Sequence, residues 1–145
     1  MAKLIVTQDE EILRRKSAPV EVFDARLHQL LDDMLETMTA LGGVGLAAPQ
    51  VGVLRRACIV EIPQGALELV NPEILDSRKR KNGEEGCLSI PGVFHKVMRP
   101  QVVFVRAQDR HGEFFEAELH GMPAICVCHE VDHLNGVLFT DLVKK

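Results

Sequence analysis

Two stretches of the chain carry patterns of apolar residues that predict helices. In residues 24–41 the apolar side chains recur at steps of three and four, which is typical of an amphipathic helix with one face in the core. Asp24 is a favourable N-cap for this helix, and Gly42 is a favourable stop. The apolar face consists of Leu27, Leu30, Leu31, Met34, Leu35, Met38 and Leu41.

The second helix is predicted to follow Gly121. Pro123 suits the first helical position, and Asn135 or Gly136 would end the helix. Residues 124–128 are apolar on every side, so we expect this helix to be buried with strands on several sides of it.

Shorter apolar runs between the two helices predict strands. We expect them at residues 56–62, 67–70, 72–75, 94–98, 102–107 and 114–119. Residues 63–65 and 109–112 have the composition of hairpin turns. The pattern favours an α+β fold in which antiparallel sheets pack around the buried central helix, with one amphipathic helix near the N-terminus.

Three stretches between these strands do not have a strand pattern. The basic run at 78–81 is predicted to be a solvated hairpin tip, and the Asn-Gly pair at 82–83 is a turn signal. Residues 84–92 have no helical period and are framed by glycines, which predicts an irregular loop.

Composition and charge exclude several classes of protein. The 145 residues are 46% hydrophobic and 26% charged, as in an ordinary globular domain, so we expect one domain over residues 1–145. The net charge of −4 gives no support for direct nucleic-acid binding. The first residues have too short an apolar run for a secretory signal, and no run approaches the ~18 residues of a membrane span. We therefore expect a cytoplasmic protein with reduced cysteines and no membrane partner.

Candidate metal chemistry lies in the second helix. His129 and His133 are four residues apart, so a helix would project both imidazoles from one face, where they could hold one divalent metal. Glu130 would be close enough to take a proton from a water at that site. A catalytic site of this kind needs a third protein ligand and one open position.

Cys87 is the best candidate for the third ligand. It follows Gly86 in the glycine-framed stretch, where the sequence offers no packing reason for a cysteine, although an inert core position is the alternative. The other cysteines lie in strand or helix patterns typical of a core, and the other histidines have no ligand spacing. These residues are Cys58, Cys126 and Cys128, and His28, His95, His111 and His120.

Three segments together resemble the peptide deformylase family. They are residues 43–50 (Gly-Val-Gly-Leu-Ala-Ala-Pro-Gln), residues 85–89 (Glu-Gly-Cys-Leu-Ser) and residues 129–133 (His-Glu-Val-Asp-His), in the order that the family has them. The elements between them also fit, so the resemblance covers nearly the whole chain. Four features depart from the usual pattern: Cys128 replaces a glutamine, Pro123 replaces an aliphatic residue, the usual Pro-Asp-Pro near the N-terminus is missing, and no extended C-terminal helix follows Phe139.

The resemblance implies a hydrolase that removes the formyl group from the N-terminal formylmethionine of new polypeptides. It implies Cys87, His129 and His133 as metal ligands and Glu130 as the general base. It also implies that the Gln50 side-chain amide and the Leu88 backbone N–H stabilise the oxyanion, and it adds Gly45 to the catalytic group. The metal implied is one Fe²⁺ per chain, and Zn²⁺, Ni²⁺ or Co²⁺ could substitute.

The resemblance also implies how substrate and supporting residues are arranged. The peptide would lie extended along residues 43–46 as an added strand, and transient proximity to the ribosome would follow from a nascent-chain substrate. The substrate-binding residues implied are Gly43, Val44, Met122, Ile125 and Cys126.

Arg99 is a further candidate, because it could orient Glu85 or Asp132 behind the metal ligands, although a surface arginine is the simpler interpretation. Two other functions are compatible with the paired histidines. The first is a metalloprotease, which would need a further ligand downstream of the helix, where only Asp141 is available. The second is a deformylase-like metal-binding protein without activity, against which Glu130 and Gln50 argue.

Overall fold

The computed structural model describes residues 5–7 and 10–142. Within these residues two α-helices and five strands form an α+β fold. The helices are α1 (Ala25–Ala40) and α2 (Met122–Leu134). The strands are β1 (Gly45–Ala47), β2 (Ala57–Ile62), β3 (Gly65–Cys87), β4 (Ile90–Gln108) and β5 (Phe114–His120). Three 3₁₀ turns cover Glu11–Arg14, Ala48–Val51 and Phe139–Leu142.

Helix α1 begins and ends as its sequence signals indicate. The Asp24 carboxylate accepts a hydrogen bond from the Leu27 backbone N–H at 3.1 Å, and Gly42 follows the helix with a φ of 68°. Its apolar face packs against β1 and β2. Two predicted members of that face, Leu35 and Leu41, are instead 37% and 52% exposed, so the buried stripe is narrower than the sequence pattern.

The five strands form one antiparallel sheet in the order β1-β2-β3-β4-β5. Strands β3 and β4 form one long hairpin, so the hairpin tip predicted at 78–81 and the turn predicted at 82–83 are wrong. Arg80 pairs with Pro100, and Asn82 pairs with Met98. Side chains in this part of β3 are exposed on both faces, which removes the alternation by which a strand is recognised.

The loop predicted at residues 84–92 is also wrong. Strand β3 continues to Cys87, β4 begins at Ile90, and only Leu88 and Ser89 lie in the turn between them. A hairpin that closes in two residues holds its ends rigidly, because the ladder partners Cys87 and Ile90 flank the turn directly.

Helix α2 packs on the sheet through a core shared with β2, β4 and β5. It begins after Gly121, which has a φ of 66°, and its C-cap is Asn135. Its last carbonyl, that of Leu134, accepts hydrogen bonds from the Ser17 backbone N–H at 2.8 Å and from the Arg56 guanidinium at 3.1 Å. These contacts satisfy a carbonyl that the helix itself leaves unpaired. No helix among the described residues is long and apolar enough to cross a membrane.

Asn71 connects the beginning of β3 to the segment before α1. Its φ is 52°, and its side chain accepts from the Val20 N–H at 2.8 Å and donates to the Val20 carbonyl at 2.9 Å and to Gln108 at 2.8 Å. The residue therefore combines a left-handed backbone with three side-chain hydrogen bonds, at a point where the β3–β4 register shifts.

Replacing Asn71 with alanine should lower the free energy of unfolding by roughly 2–4 kcal/mol, because these hydrogen bonds are lost and alanine tolerates a positive φ poorly. Asn71→Gly should be about 1 kcal/mol less harmful, because glycine accepts that backbone conformation. Denaturant unfolding measures both, with Asn82→Ala, an exposed asparagine of the same strand, as the control. Equal stability of the alanine and glycine variants would show that the backbone conformation carries no cost.

Candidate metal centre and active site

The two histidines of α2 project together from one face of the helix. The Nε2 atoms of His129 and His133 are 3.1 Å apart, and both side chains are buried. The Sγ atom of Cys87 lies 3.3 Å from His133 Nε2. The donor atoms of the three residues lie within 4.8 Å of one another, and they are the only such group of three among the described residues.

Cys87 reaches this position because it is the last residue of β3. Gly86 precedes it, and a Cβ atom there would lie 2.6 Å from a ring carbon of Phe94. The group that lies closest to Gly86 is therefore this aromatic ring. Any larger residue at Gly86 would displace Phe94 or shift the strand that carries Cys87.

The three donors fit a divalent metal ion. Metal–ligand bonds of about 2.0–2.3 Å in a tetrahedral arrangement separate neighbouring ligand atoms by roughly 3.3–3.7 Å. The distances from His133 Nε2 to Cys87 Sγ and to His129 Nε2, 3.3 and 3.1 Å, are close to this range. Three protein ligands leave one position open, as in catalytic sites. Imidazole and thiolate donors suit Zn²⁺, Fe²⁺, Co²⁺ and Ni²⁺ better than Mg²⁺ or Ca²⁺.

A buried network fixes the orientation of His129. Its Nδ1–H donates to the Glu85 carboxylate, which leaves Nε2 free to face the other donors. Arg99 donates to both oxygens of Glu85, at 3.0 and 2.9 Å, and to Asp132 at 2.6 Å. Arg99 is 6% exposed, so it is not a surface residue, and it contacts both of the acidic residues that the sequence suggested.

The charges of this network are mutually stabilised. Burial opposes ionisation of Glu85, but hydrogen bonds from His129 and Arg99 outweigh it and lower its pKa to about 2. Burial likewise opposes the charge on Arg99, and its bonds to Glu85 and Asp132 outweigh that effect and raise its pKa. The carboxylate behind His129 is therefore ionised throughout the ordinary pH range.

The pKa values of the two histidines are shifted in opposite directions. In the metal-free protein burial disfavours protonation of His129, but the charge of Glu130 and hydrogen bonds to Cys87 and Glu85 outweigh it and raise its pKa to about 10. Burial and the neighbouring His129 charge lower the pKa of His133 to about 3. Metal binding would therefore displace a proton from His129, while His133 is already neutral.

Glu130 lies between the metal donors and β1. Its Oε1 atom is buried and has no hydrogen-bond partner among the described residues. Burial raises the pKa of its carboxyl to about 7, although the charge of His129 opposes the shift. A Cβ atom at Gly45 would lie 2.5 Å from Glu130 Oε2, so glycine at that position makes room for the carboxylate.

Gln50 also contacts the donor cluster, through Cys87. Its Oε1 accepts from the Ala47 backbone N–H at 3.0 Å, which turns its Nε2 toward Ser89 Oγ at 3.2 Å and Cys87 Sγ at 3.5 Å. The Gln50 amide nitrogen is therefore held beside Cys87, one of the three metal donors, and donates to Ser89 as well. The sequence assigned no function to Ser89, and it did not predict that the Ser89 hydroxyl accepts a hydrogen bond from Gln50.

A cavity of about 780 Å³ opens over these residues. It extends from the segment that follows α1, and from β1, to the β3–β4 hairpin and to α2. Among its lining residues are the predicted substrate-binding residues Gly43, Val44, Met122, Ile125 and Cys126, and the predicted catalytic residues Gly45, Gln50, Leu88 and Glu130.

Other cysteines and histidines lie away from the donor cluster. Cys58 and Cys128 belong to the core between α2 and the sheet, where burial raises the pKa of each thiol, to about 11 for Cys128. His95, His111 and His120 are exposed. Phe139, for which the sequence predicted no role, has its ring stacked on that of His129.

Comparisons with known proteins identify the family to which the chain is similar. The model of the polypeptide deformylase family matches residues 2–145. A peptide deformylase from Caldicellulosiruptor bescii is 57% identical over 141 residues, which cover 97% of this chain and 85% of that protein.

Solved structures of peptide deformylases have the same fold as this chain. The crystal structure of a peptide deformylase from Legionella pneumophila superposes with a TM-score of 0.96 at 44% identity and covers 99% of this chain and 87% of that chain. A Met-Ala-Ser-bound class I type b peptide deformylase from Acinetobacter baumannii has a TM-score of 0.92 at 39% identity and covers 99% of each chain. By sequence and by fold, this chain belongs to the peptide deformylase family.

Proposed function

We propose that this chain hydrolyses the formamide bond of N-formylmethionyl polypeptides and releases formate, with a centre built from Cys87, His129, His133 and Glu130. The strongest support is the buried cluster of three metal donors beside a carboxylate oxygen that has no other partner among the described residues. An open coordination position and a free base are the two requirements for activating water.

Cys87, His129 and His133 would hold one metal ion, for which we propose Fe²⁺, with Zn²⁺, Ni²⁺ or Co²⁺ able to substitute. When bound, such an ion supplies Lewis-acid polarisation and makes water acidic enough to ionise near neutral pH. The chain itself supplies the geometry: the bond from His129 to Glu85 fixes which nitrogen faces the metal, and Arg99 holds Glu85.

Glu130 acts as the general base. Its unpartnered Oε1 takes the proton of the attacking water, and the same carboxyl then delivers the proton to the departing amine. Burial raises the pKa of Glu130 in the metal-free protein, and this favours a group that both accepts and returns a proton near neutral pH.

Gln50 and Leu88 stabilise the negative charge that develops on the formyl oxygen. The Gln50 amide is held by Ala47 and Ser89 with its nitrogen 3.5 Å from Cys87 Sγ, which supports this role. The Leu88 backbone N–H lies in the tight turn directly after Cys87 and is the second donor that we propose.

The methionine side chain enters the apolar part of the cavity, formed by Val44, Met122, Ile125 and Cys126. The peptide extends along Gly43 and Val44 as an additional strand on β1, which is the edge of the sheet. The Acinetobacter relative binds Met-Ala-Ser, a peptide that begins with methionine, and this supports a methionyl peptide as the ligand here.

The same proposal includes a single catalytic domain over residues 1–145, transient proximity to the ribosome and a cytoplasmic location. The last two follow from the substrate, because formylated nascent chains are made on ribosomes. A metalloprotease is less well supported, since Asp141, its only downstream ligand candidate, contacts Arg14 and the Leu138 N–H.

Glu130→Gln should lower the rate of formate release from formyl-Met peptides by roughly 10²–10⁴-fold while the bound metal stays at one per chain, because the base is lost and the ligands are kept. Formate release and metal content are measured together, and Glu118→Gln, an exposed carboxylate on β5, is the control. A metal-loaded wild type that releases no formate would overturn the proposed function, and equal cleavage of unformylated internal peptide bonds would favour a protease.

Gly45→Ala should reduce kcat by at least about tenfold, because the new methyl group would collide with Glu130 Oε2 and displace the base. Gly83→Ala is the matched control, since a Cβ at Gly83 meets no atom within 4 Å. Gly45→Ala with wild-type kcat would show that Glu130 does not need its present position.

Arg99→Ala should weaken metal binding by roughly 10–100-fold, because Glu85 loses two hydrogen bonds and no longer fixes His129. Arg99→Lys should recover only part of this affinity, since lysine cannot make the paired contacts. Metal competition with a chelator measures the effect, and Arg106→Ala, an exposed arginine of the same strand, is the control. Unchanged metal retention in Arg99→Ala would remove Arg99 from the mechanism.

A further inference from the structure

The ring of Phe139 lies against the ring of the proposed metal ligand His129, which belongs to the preceding helix. The ring centroids are 6.0 Å apart, and the planes differ by 29°, which is a stacked arrangement. Phe139 is 1% exposed, and it lies in the 3₁₀ turn Phe139–Leu142 that follows α2.

His129 is therefore constrained on three sides. The bond from Nδ1 to Glu85 fixes the ring in its own plane. His133 meets it edge-on, at a centroid distance of 4.8 Å and an angle of 66°. Neither contact alone prevents the ring from tilting out of its plane about the Glu85 bond. The stacked ring of Phe139 covers a face and opposes that tilt.

Phe139 is itself held firmly. It packs in a small core with Leu13, Ile90, Val97 and Leu138. The turn that carries it is fixed by Asp141, whose carboxylate accepts hydrogen bonds from Arg14 and from the Leu138 backbone N–H. A ring anchored in this way can transmit its position to His129.

We propose that Phe139 is a positioning residue for the metal centre, which keeps the imidazole of His129 in the orientation that binds the ion. This rests on the proposed metal site but not on deformylation. Loss of the ring leaves the Glu85 bond intact, so His129 still reaches the ion, but over a wider range of orientations. The ion should then dissociate faster, as is usual when a group that orients a ligand is removed.

Metal dissociation tests the proposal directly. Wild-type and variant proteins are loaded with Zn²⁺, and transfer of the ion to a coloured chelator is followed in time. Phe139→Leu, which keeps an apolar side chain but removes the ring, should release Zn²⁺ about tenfold faster. Phe139→Met serves the same purpose if the leucine variant does not fold. The visible absorption bands of Co²⁺-loaded protein should also shift, because they report ligand geometry.

Leu31→Ala is the control for stability alone. Leu31 is fully buried in the separate core between α1 and the sheet, to which Phe139 does not belong. Leu31→Ala should lower the melting temperature at least as much as Phe139→Leu and leave the Zn²⁺ dissociation rate within about twofold of wild type. Wild-type dissociation in a folded Phe139 variant would overturn the proposal. So would equal acceleration by Leu31→Ala, since Phe139 would then act only through stability. A wild type that binds Zn²⁺ but releases no formate would refute deformylation without affecting this test.

Discussion

The hydrogen bond between His129 and Glu85 joins the two halves of the metal centre. Glu85 belongs to the β3–β4 hairpin and His129 to α2, and these elements are far apart in the sequence. Because the bond is buried, water cannot replace it, and either partner alone would leave an unpaired charge or donor in the core. Arg99 offsets the cost of burying the Glu85 charge, since it forms a buried ion pair with that carboxylate.

The close contact of neighbouring side chains with two glycines is the second constraint on the site. Gly45 and Gly86 are each in contact with a side chain that a methyl group would displace, Glu130 in one case and Phe94 in the other. The base and the strand end that carries Cys87 are thus held by steric fit as well as by hydrogen bonds. Gly45, the first residue of β1, thus provides the space that the Glu130 carboxylate occupies.

The features that could be predicted from the sequence are those that depend on residues close together in the chain. Two of the three candidate metal donors could be predicted because His129 and His133 are related by helical spacing, which is a local property. The roles of Ser89 and Phe139 were not, since each depends on two elements meeting in space, and neither residue type has a spacing that marks it. The long hairpin was missed because the outer part of β3 is exposed on both faces, so the apolar alternation that marks a strand is absent.

The exposed part of β3 has a consequence for how copies of this protein behave toward one another. Strand β2 pairs only with Gly65–Val70, so beyond that point the edge of β3 opposite β4 has no partner strand among the described residues. An unpaired edge of this length is a template for another chain. Residues 78–81 place four consecutive cationic side chains on it, and Lys79, with a φ of 60°, bends the strand locally. Two such edges repel each other and do not lie flat, so the basic run acts against edge-to-edge aggregation.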